Sequence, residues 1–166
     1  MSLVDSAEKH RIFVYGTLKQ SQPNHYWFSK GGSYQFVGAA RLSEPRPMVV
    51  AGPYNIPYII DCPGTGKNVV GEVYDIDDEA FAHLDILEDY PIHYTRKQIP
   101  VILLDDDSHR TVSCWCYFLV NPKQSLLESP HIECFDYRQC GYTPRNERNG
   151  KEYSREEVRS AVQEKT

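Results

Sequence analysis

Methionine and tryptophan are scarce, two of each in 166 residues, and apolar runs are short. Stretches such as Val101–Leu104 fall far short of the roughly 20 residues that cross a bilayer. No Lys/Arg-rich run occurs, and a formal net charge of −5 offers no basic face to nucleic acid or to an anionic membrane, so neither partner is expected. Asn-x-Ser/Thr sequons are absent, and Met1–His10 holds no apolar core of a secretory signal; a cytoplasmic location is the expectation. Five cysteines, an odd number, then read as reduced thiols. Familiar catalytic signatures are missing as well. There is no His-Glu-x-x-His and no Gly-x-Ser-x-Gly. Gly64-Thr65-Gly66-Lys67 lacks the rest of a phosphate-binding loop, because Asp61 and Asn68 stand where Gly and Ser/Thr are needed, and it reads as a turn.

What is present describes an ordinary globular chain, 40% hydrophobic and 25% charged. A chain of this length forms one domain and buries roughly 70% of its unfolded surface. Residues 1–10 are a polar lead-in. Ile12–Tyr15 reads as a short buried strand ended by Gly16, and Asn24 as the cap of a short helix through Trp27 and Phe28. Tyr34–Leu42, Met48–Val50, Tyr54–Ile60 and Asn68–Ile76 read as strands. Pro57 marks the third of them as an edge, a bulge or a bend next to something functional. Asp77 caps a helix to Glu88, with Asp78 and Glu79 at its positive end. Ile99–Leu104 and Thr111–Val120 pair as a hairpin around Asp105-Asp106-Asp107. Asn121–Ser129 is a turn with room for one helical turn, residues 130–149 carry no periodicity, and Ser154 with Glu157 forms a capping box for a last helix to about Gln163. Many strands with few helices, not ordered as βαβ units, predict an α+β fold with a barrel-like or strongly bent sheet.

Two places carry candidate chemistry. Tyr15-Gly16-Thr17-Leu18-Lys19 follows a buried strand, and a chain turning at Gly presents consecutive N–H groups to an anion; taken alone, the pattern is also that of a plain turn. The second is the carboxylate cluster Asp85, Glu88 and Asp89. Phe81, Leu84 and Leu87 define the apolar face of the Asp77 helix. Glu88 lies seven residues after Phe81 and four after Leu84, near that face, whereas Asp85 is at its margin and Asp89 points to solvent. A carboxyl so placed, beside Tyr90-Pro91, is desolvated and has the raised pKa of a general base. In the alternative reading the helix has ended by Glu88 and the side chain reaches water; periodicity does not choose between them. Cys114-Trp115-Cys116 puts two thiols on one face of a strand, but no second Cys or His pair completes a zinc site.

The segment Phe13-Val14-Tyr15-Gly16-Thr17-Leu18-Lys19, with Gln22-Pro23-Asn24-His25 behind it, resembles the opening of the γ-glutamylcyclotransferase-like (AIG2-like) superfamily, and within it the γ-glutamylamine cyclotransferases. Similar motifs continue through Val50-Ala51-Gly52, Asn55-Ile56-Pro57, Pro63-Gly64 and Val70-Gly71-Glu72-Val73-Tyr74. Leu84-Asp85-x-x-Glu88-x-x-Pro91-x-x-Tyr94-x-Arg96 and Pro144-Arg145 follow. The resemblance implies a small mixed β-barrel flanked by helices over residues 11–149; the helical tail at 150–166 is read from the capping box instead. It implies a substrate-binding loop at Tyr15, Gly16, Thr17 and Leu18, and Glu88 as the catalytic acid–base. The implied reaction turns a γ-glutamyl amine, a small molecule such as γ-glutamyl-ε-lysine, into 5-oxoproline and a free amine, with no cofactor and no metal. A sister activity on γ-glutamyl-α-amino acids or glutathione, and a non-catalytic binding module of the same fold, are the alternatives. A monomer is the default expectation for the oligomeric state. Ser21 stands for a usual Gly, Tyr58 for a usual Trp, and the tail after Arg145 departs from the family pattern. The last two bear on which amine leaves.

Overall fold

A computed structural model describes residues 9–105, 107–150 and 152–165. Seven strands are present among them: β1 (Lys9–Val14), β2 (Tyr34–Leu42), β3 (Met48–Ala51), β4 (Ile56–Ile59), β5 (Val70–Asp77), β6 (Tyr94–Leu103) and β7 (Thr111–Leu119). Three α-helices accompany them, α1 (Asp78–Leu87), α2 (Tyr137–Cys140) and α3 (Arg155–Val162). Five strands close a barrel in the order β1-β5-β2-β6-β7, while β3 and β4 form a separate two-stranded sheet. All barrel pairs are antiparallel except the closing contact of β1 with β7, which is parallel at Ile12 and Trp115. This is the α+β barrel with flanking helices that the resemblance implied.

Two buried clusters explain the strand sequences. Phe13, Ala40, Leu42, Val73, Ile99, Val101, Cys114, Cys116 and Phe118 come from all five barrel strands and fill the barrel. Ile12, Val14, Tyr74, Ile76 and Leu119 alternate with them and pack, together with Ala80, Phe81 and Leu84 of α1, on the outer side of the wall. β1 and β7 are thus buried on both faces, which is why Ile12–Val14 and Cys114–Leu119 read as unbroken apolar runs. Helix α1 starts as its sequence predicts, with the Asp77 carboxylate accepting from the Ala80 N–H at 2.9 Å. The capping box of α3 is also formed, Ser154 and Glu157 each accepting the other's backbone N–H.

Three expectations change. β6 begins at Tyr94 rather than at Ile99, because its polar start is paired residue by residue with the apolar end of β7, from Tyr94 opposite Leu119 to Gln98 opposite Trp115. Asn24 stands before a 3₁₀ turn over His25–Ser29 but makes no side-chain cap; its amide is engaged elsewhere. The lead-in at 1–10 lies outside the described residues except for Lys9 and His10, which belong to β1; Asp106 of the acidic loop lies outside them too.

Candidate active site

The loop after β1 folds against β4. A Cβ on Gly16 would sit 2.7 Å from Cγ of Pro57, so the glycine is required by close approach, without a left-handed backbone angle. Pro57 lies in the β3–β4 ribbon opposite Val50, where a missing N–H costs no barrel bond. Gly71 of β5 plays a matching part: a Cβ there would meet the Val14 carbonyl at 2.3 Å, so only glycine lets β1 end where it does.

Asn24 then clamps the loop. Its backbone N–H donates to the Thr17 carbonyl at 2.8 Å and its side-chain amide to the Thr17 hydroxyl at 2.9 Å. Among the described residues, the backbone N–H groups of Gly16, Thr17 and Leu18 have no acceptor within the protein. Tyr15, by contrast, is anchored: its hydroxyl donates to the Tyr117 carbonyl at 2.7 Å and accepts from the Ile59 N–H at 3.4 Å. The Leu18 side chain is buried in the core. Of the four expected binding residues, Gly16, Thr17 and Leu18 therefore offer backbone donors, and Tyr15 fixes the loop.

This loop and the end of α1 face a common cavity of about 230 Å³. Glu88 is the C-cap of α1, its N–H still bonded to the Leu84 carbonyl at 2.9 Å. Both readings of the helix end are thus partly right: the helix finishes at Glu88, yet the side chain turns to the cavity instead of to open water. No protein group among the described residues hydrogen-bonds its carboxyl. Burial pushes its pKa from 4.5 up to about 8, Arg145 pulling it down and Asp85 pushing it further up. The negative end of the α1 dipole acts in the same upward direction.

The neighbouring carboxylates are engaged elsewhere. Asp85 takes a bidentate pair from Arg96, at 3.0 and 3.1 Å, and the Tyr117 hydroxyl at 2.6 Å. The Arg96 guanidinium is itself caged, 4.1 Å from the Phe81 ring, 4.5 Å from Tyr90 and 4.8 Å from Trp115. Asp89 does not point to solvent as expected. It has left-handed backbone (φ 52°) just past the helix, and its carboxylate pairs with Arg155, at 3.2 Å, and with Arg159 of α3.

Aromatic residues complete the walls. Tyr94 donates to the Pro57 carbonyl at 3.3 Å; His93 shares a 2.8 Å hydrogen bond with Tyr58, which is fully buried behind the wall and, against expectation, does not line the cavity. Burial drives the His93 pKa down to about 4, so its ring is neutral near pH 7. The remaining wall comes from the C-terminal part: Tyr142, Arg145, Arg148, Glu152 and Tyr153. Periodicity gives no sign of these last residues; the Pro144-Arg145 motif and the tail after Arg145 that departs from the family pattern are what pointed to this segment, without naming Tyr142, Arg148, Glu152 or Tyr153. The crowding of arginines around 145–159 is a further signal. Among the described residues, no group of three or more His, Cys, Asp or Glu is placed to hold a metal ion, and Cys114 and Cys116 lie deep in the barrel with their thiol pKa values raised by burial.

Residues 12–139 match the family model described as gamma-glutamyl cyclotransferase, AIG2-like. The gamma-glutamylaminecyclotransferase of Homo sapiens is 37% identical over 135 residues, 75% of this chain and 88% of its own length. Gamma-glutamylaminecyclotransferase C of Danio rerio is 37% identical over 131 residues, covering 76% and 86%. The crystal structure of an AIG2-like protein from Mus musculus has a TM-score of 0.78 at 36% identity, covering 82% of this chain and 97% of that one. With the barrel, the glycine-bearing loop and the lone carboxyl at the helix end all in place, the chain belongs to the AIG2-like gamma-glutamyl cyclotransferase family.

Proposed function

We propose that this protein is a γ-glutamylamine cyclotransferase, releasing 5-oxoproline and a free amine, with Glu88 as its acid–base residue and the 15–18 loop as its oxyanion and carboxylate site. The observation that carries the reading is Glu88: a carboxyl with no protein partner, facing unbonded loop N–H groups across one cavity. The relatives named above as gamma-glutamylaminecyclotransferases give the substrate class.

The reaction is an internal acyl transfer. The α-amine of the γ-glutamyl group forms a bond to its own γ-carbonyl carbon, and the bond from that carbon to the leaving nitrogen breaks. Water is not consumed. Holding both ends of one molecule in register supplies about 7–11 kcal/mol in effective molarity, so no protein nucleophile is needed. The obstacle is the proton on the substrate ammonium. A carboxyl with its pKa near 8 is close enough to an ammonium in proton affinity for transfer to be nearly balanced. The incoming ammonium supplies the positive neighbour that favours the ionised carboxylate, so binding itself readies the base. Glu88 then returns the proton to the departing amine. The developing oxyanion and the α-carboxylate take the loop donors, one oxyanion donor being worth about 3–4 kcal/mol.

The test is direct. Purified protein is given γ-glutamyl-ε-lysine, a γ-glutamyl-α-amino acid and glutathione separately, and 5-oxoproline is measured. Turnover confined to the first supports the reading; turnover of the second or third alone moves the protein to the sister activity. Well-folded protein inactive on all three makes it a binding module.

A further inference from the structure

We infer that residues 142–158 build the leaving-group half of the cavity and select an amine that carries its own carboxylate, held by Arg145 and Arg148. This rests on the cyclotransferase reading above and adds to it the chemistry of the departing group.

With the γ-glutamyl end assigned to the 15–18 loop and Glu88, the rest of the lining sets charged Asp89, Arg145, Arg148, Glu152 and Arg155 among aromatic and apolar side chains. Asp89 is already matched by Arg155 and Arg159. Arg148 is half-buried and rigid. Its guanidinium carbon stacks 3.5 Å from the Tyr54 ring centre, Nε donates to the Thr143 carbonyl at 3.2 Å, and one terminal nitrogen donates to the Tyr142 hydroxyl at 3.4 Å. That leaves its other terminal nitrogen uncommitted. Arg145 makes no hydrogen bond or ion pair among the described residues, although it is near enough to Glu88 to act on its charge. Glu152 likewise has no bonded partner among them.

Two guanidinium groups and one carboxylate are thus left over on one wall. Solvated surface charges would explain Arg145 and Glu152 taken singly. They do not explain an arginine locked flat on a tyrosine at the edge of a cavity, since ordering such a side chain is entropically costly. A leaving amine with a bare alkyl chain would use none of these charges. One ending in a carboxylate meets both guanidinium groups, and one ending in an amino-acid head also offers an ammonium to Glu152. The segment lies beyond residues 12–139 that match the family model, with Pro144-Arg145 as the part of it that resembles the family's motifs.

Four donors with the same γ-glutamyl amide separate the contributions: those of lysine through its ε-amine, 6-aminohexanoate, cadaverine and pentylamine. They carry carboxylate and ammonium, carboxylate only, ammonium only, and neither. For wild type, kcat/KM from 5-oxoproline release should favour each carboxylate-bearing donor about tenfold over its carboxylate-free counterpart, mainly through KM. In Arg145→Gln that ratio should collapse toward one, and in Arg145→Glu it should invert in favour of the cadaverine donor; thermal melts confirm that both variants fold. A wild type indifferent to the carboxylate, or a ratio unchanged in both variants, overturns the inference and leaves the cyclotransferase reading standing. Folded wild type that releases no 5-oxoproline from any donor overturns both.

Discussion

Glu88 sits where a carboxylate is least comfortable, at the negative end of a helix, half-buried and without a hydrogen-bond donor. The arrangement suits a proton carrier better than a structural anion. Glu88→Gln keeps the shape and removes the exchangeable proton, so kcat should fall by about 10²–10⁴ while 5-oxoproline still binds, as titration calorimetry would show. A Glu128→Gln variant, on an exposed turn, is the appropriate carboxylate control. In wild type, kcat/KM should rise with pH toward a limb near 8, where free Glu88 ionises, and residual activity of the Gln variant should lack that limb. Gly16 tests the loop. In Gly16→Ala the added methyl meets the Pro57 ring at 2.7 Å, and moving either group displaces the donors. We expect a loss of about 1–3 kcal/mol in stability and weaker 5-oxoproline binding; a variant matching wild type in both would detach Gly16 from the site.

Among the elements, α3 is the one whose role changed most between sequence and structure. Its start was legible, because Ser154 and Glu157 are a local signal that needs no tertiary contact. Its destination was not. Asp89 meets Arg155 and Arg159 across roughly seventy residues of sequence, and helical periodicity at residue 89 is silent once the backbone turns left-handed. Asp89→Asn should therefore loosen α3: faster amide exchange over 155–162, about 1 kcal/mol lost by urea titration, and a rise in KM larger than the fall in kcat. Exchange rates identical to wild type would show that the ion pairs do not hold the helix. The same division runs through the rest of the fold. Strands such as Tyr34–Leu42 and the Asp77-capped helix were readable from local pattern. The start of β6 was not, since Thr95, Arg96, Lys97 and Gln98 become strand only through pairing with β7. Glu88 and the 15–18 loop were legible as candidates, while Asn24, Tyr117 and Tyr142 enter the site through contacts that no short window of sequence contains.

At the scale of the whole molecule, Glu88 and His93 bend the stability curve in opposite directions. Glu88 holds its proton in the folded state up to about pH 8 but loses it near 4.5 when unfolded. Between those values the folded state binds the extra proton, and stability falls as pH rises. His93 is the reverse: its pKa drops from 6.5 to about 4 on folding, so the unfolded state binds the extra proton and stability rises with pH across that window. From about 4.5 to 6.5 the two contributions cancel; from 6.5 to 8 only the Glu88 penalty grows. Urea titrations of wild type and Glu88→Gln should therefore coincide near pH 4.5 and diverge steadily up to pH 8, the Gln variant being the more stable. A constant difference across that range would mean that Glu88 titrates normally in the folded protein.

The chain order of the cavity walls bears on how the protein is made. The 15–18 loop and Glu88 are made before β7, the strand that closes the barrel against β1. The opposite wall comes from residues 142–158, and the clasp on Asp89 is completed only by Arg159. A nascent chain thus carries its reactive carboxyl through about seventy further residues of synthesis without a finished pocket around it. Translation must pass residue 159 before the site has all its walls.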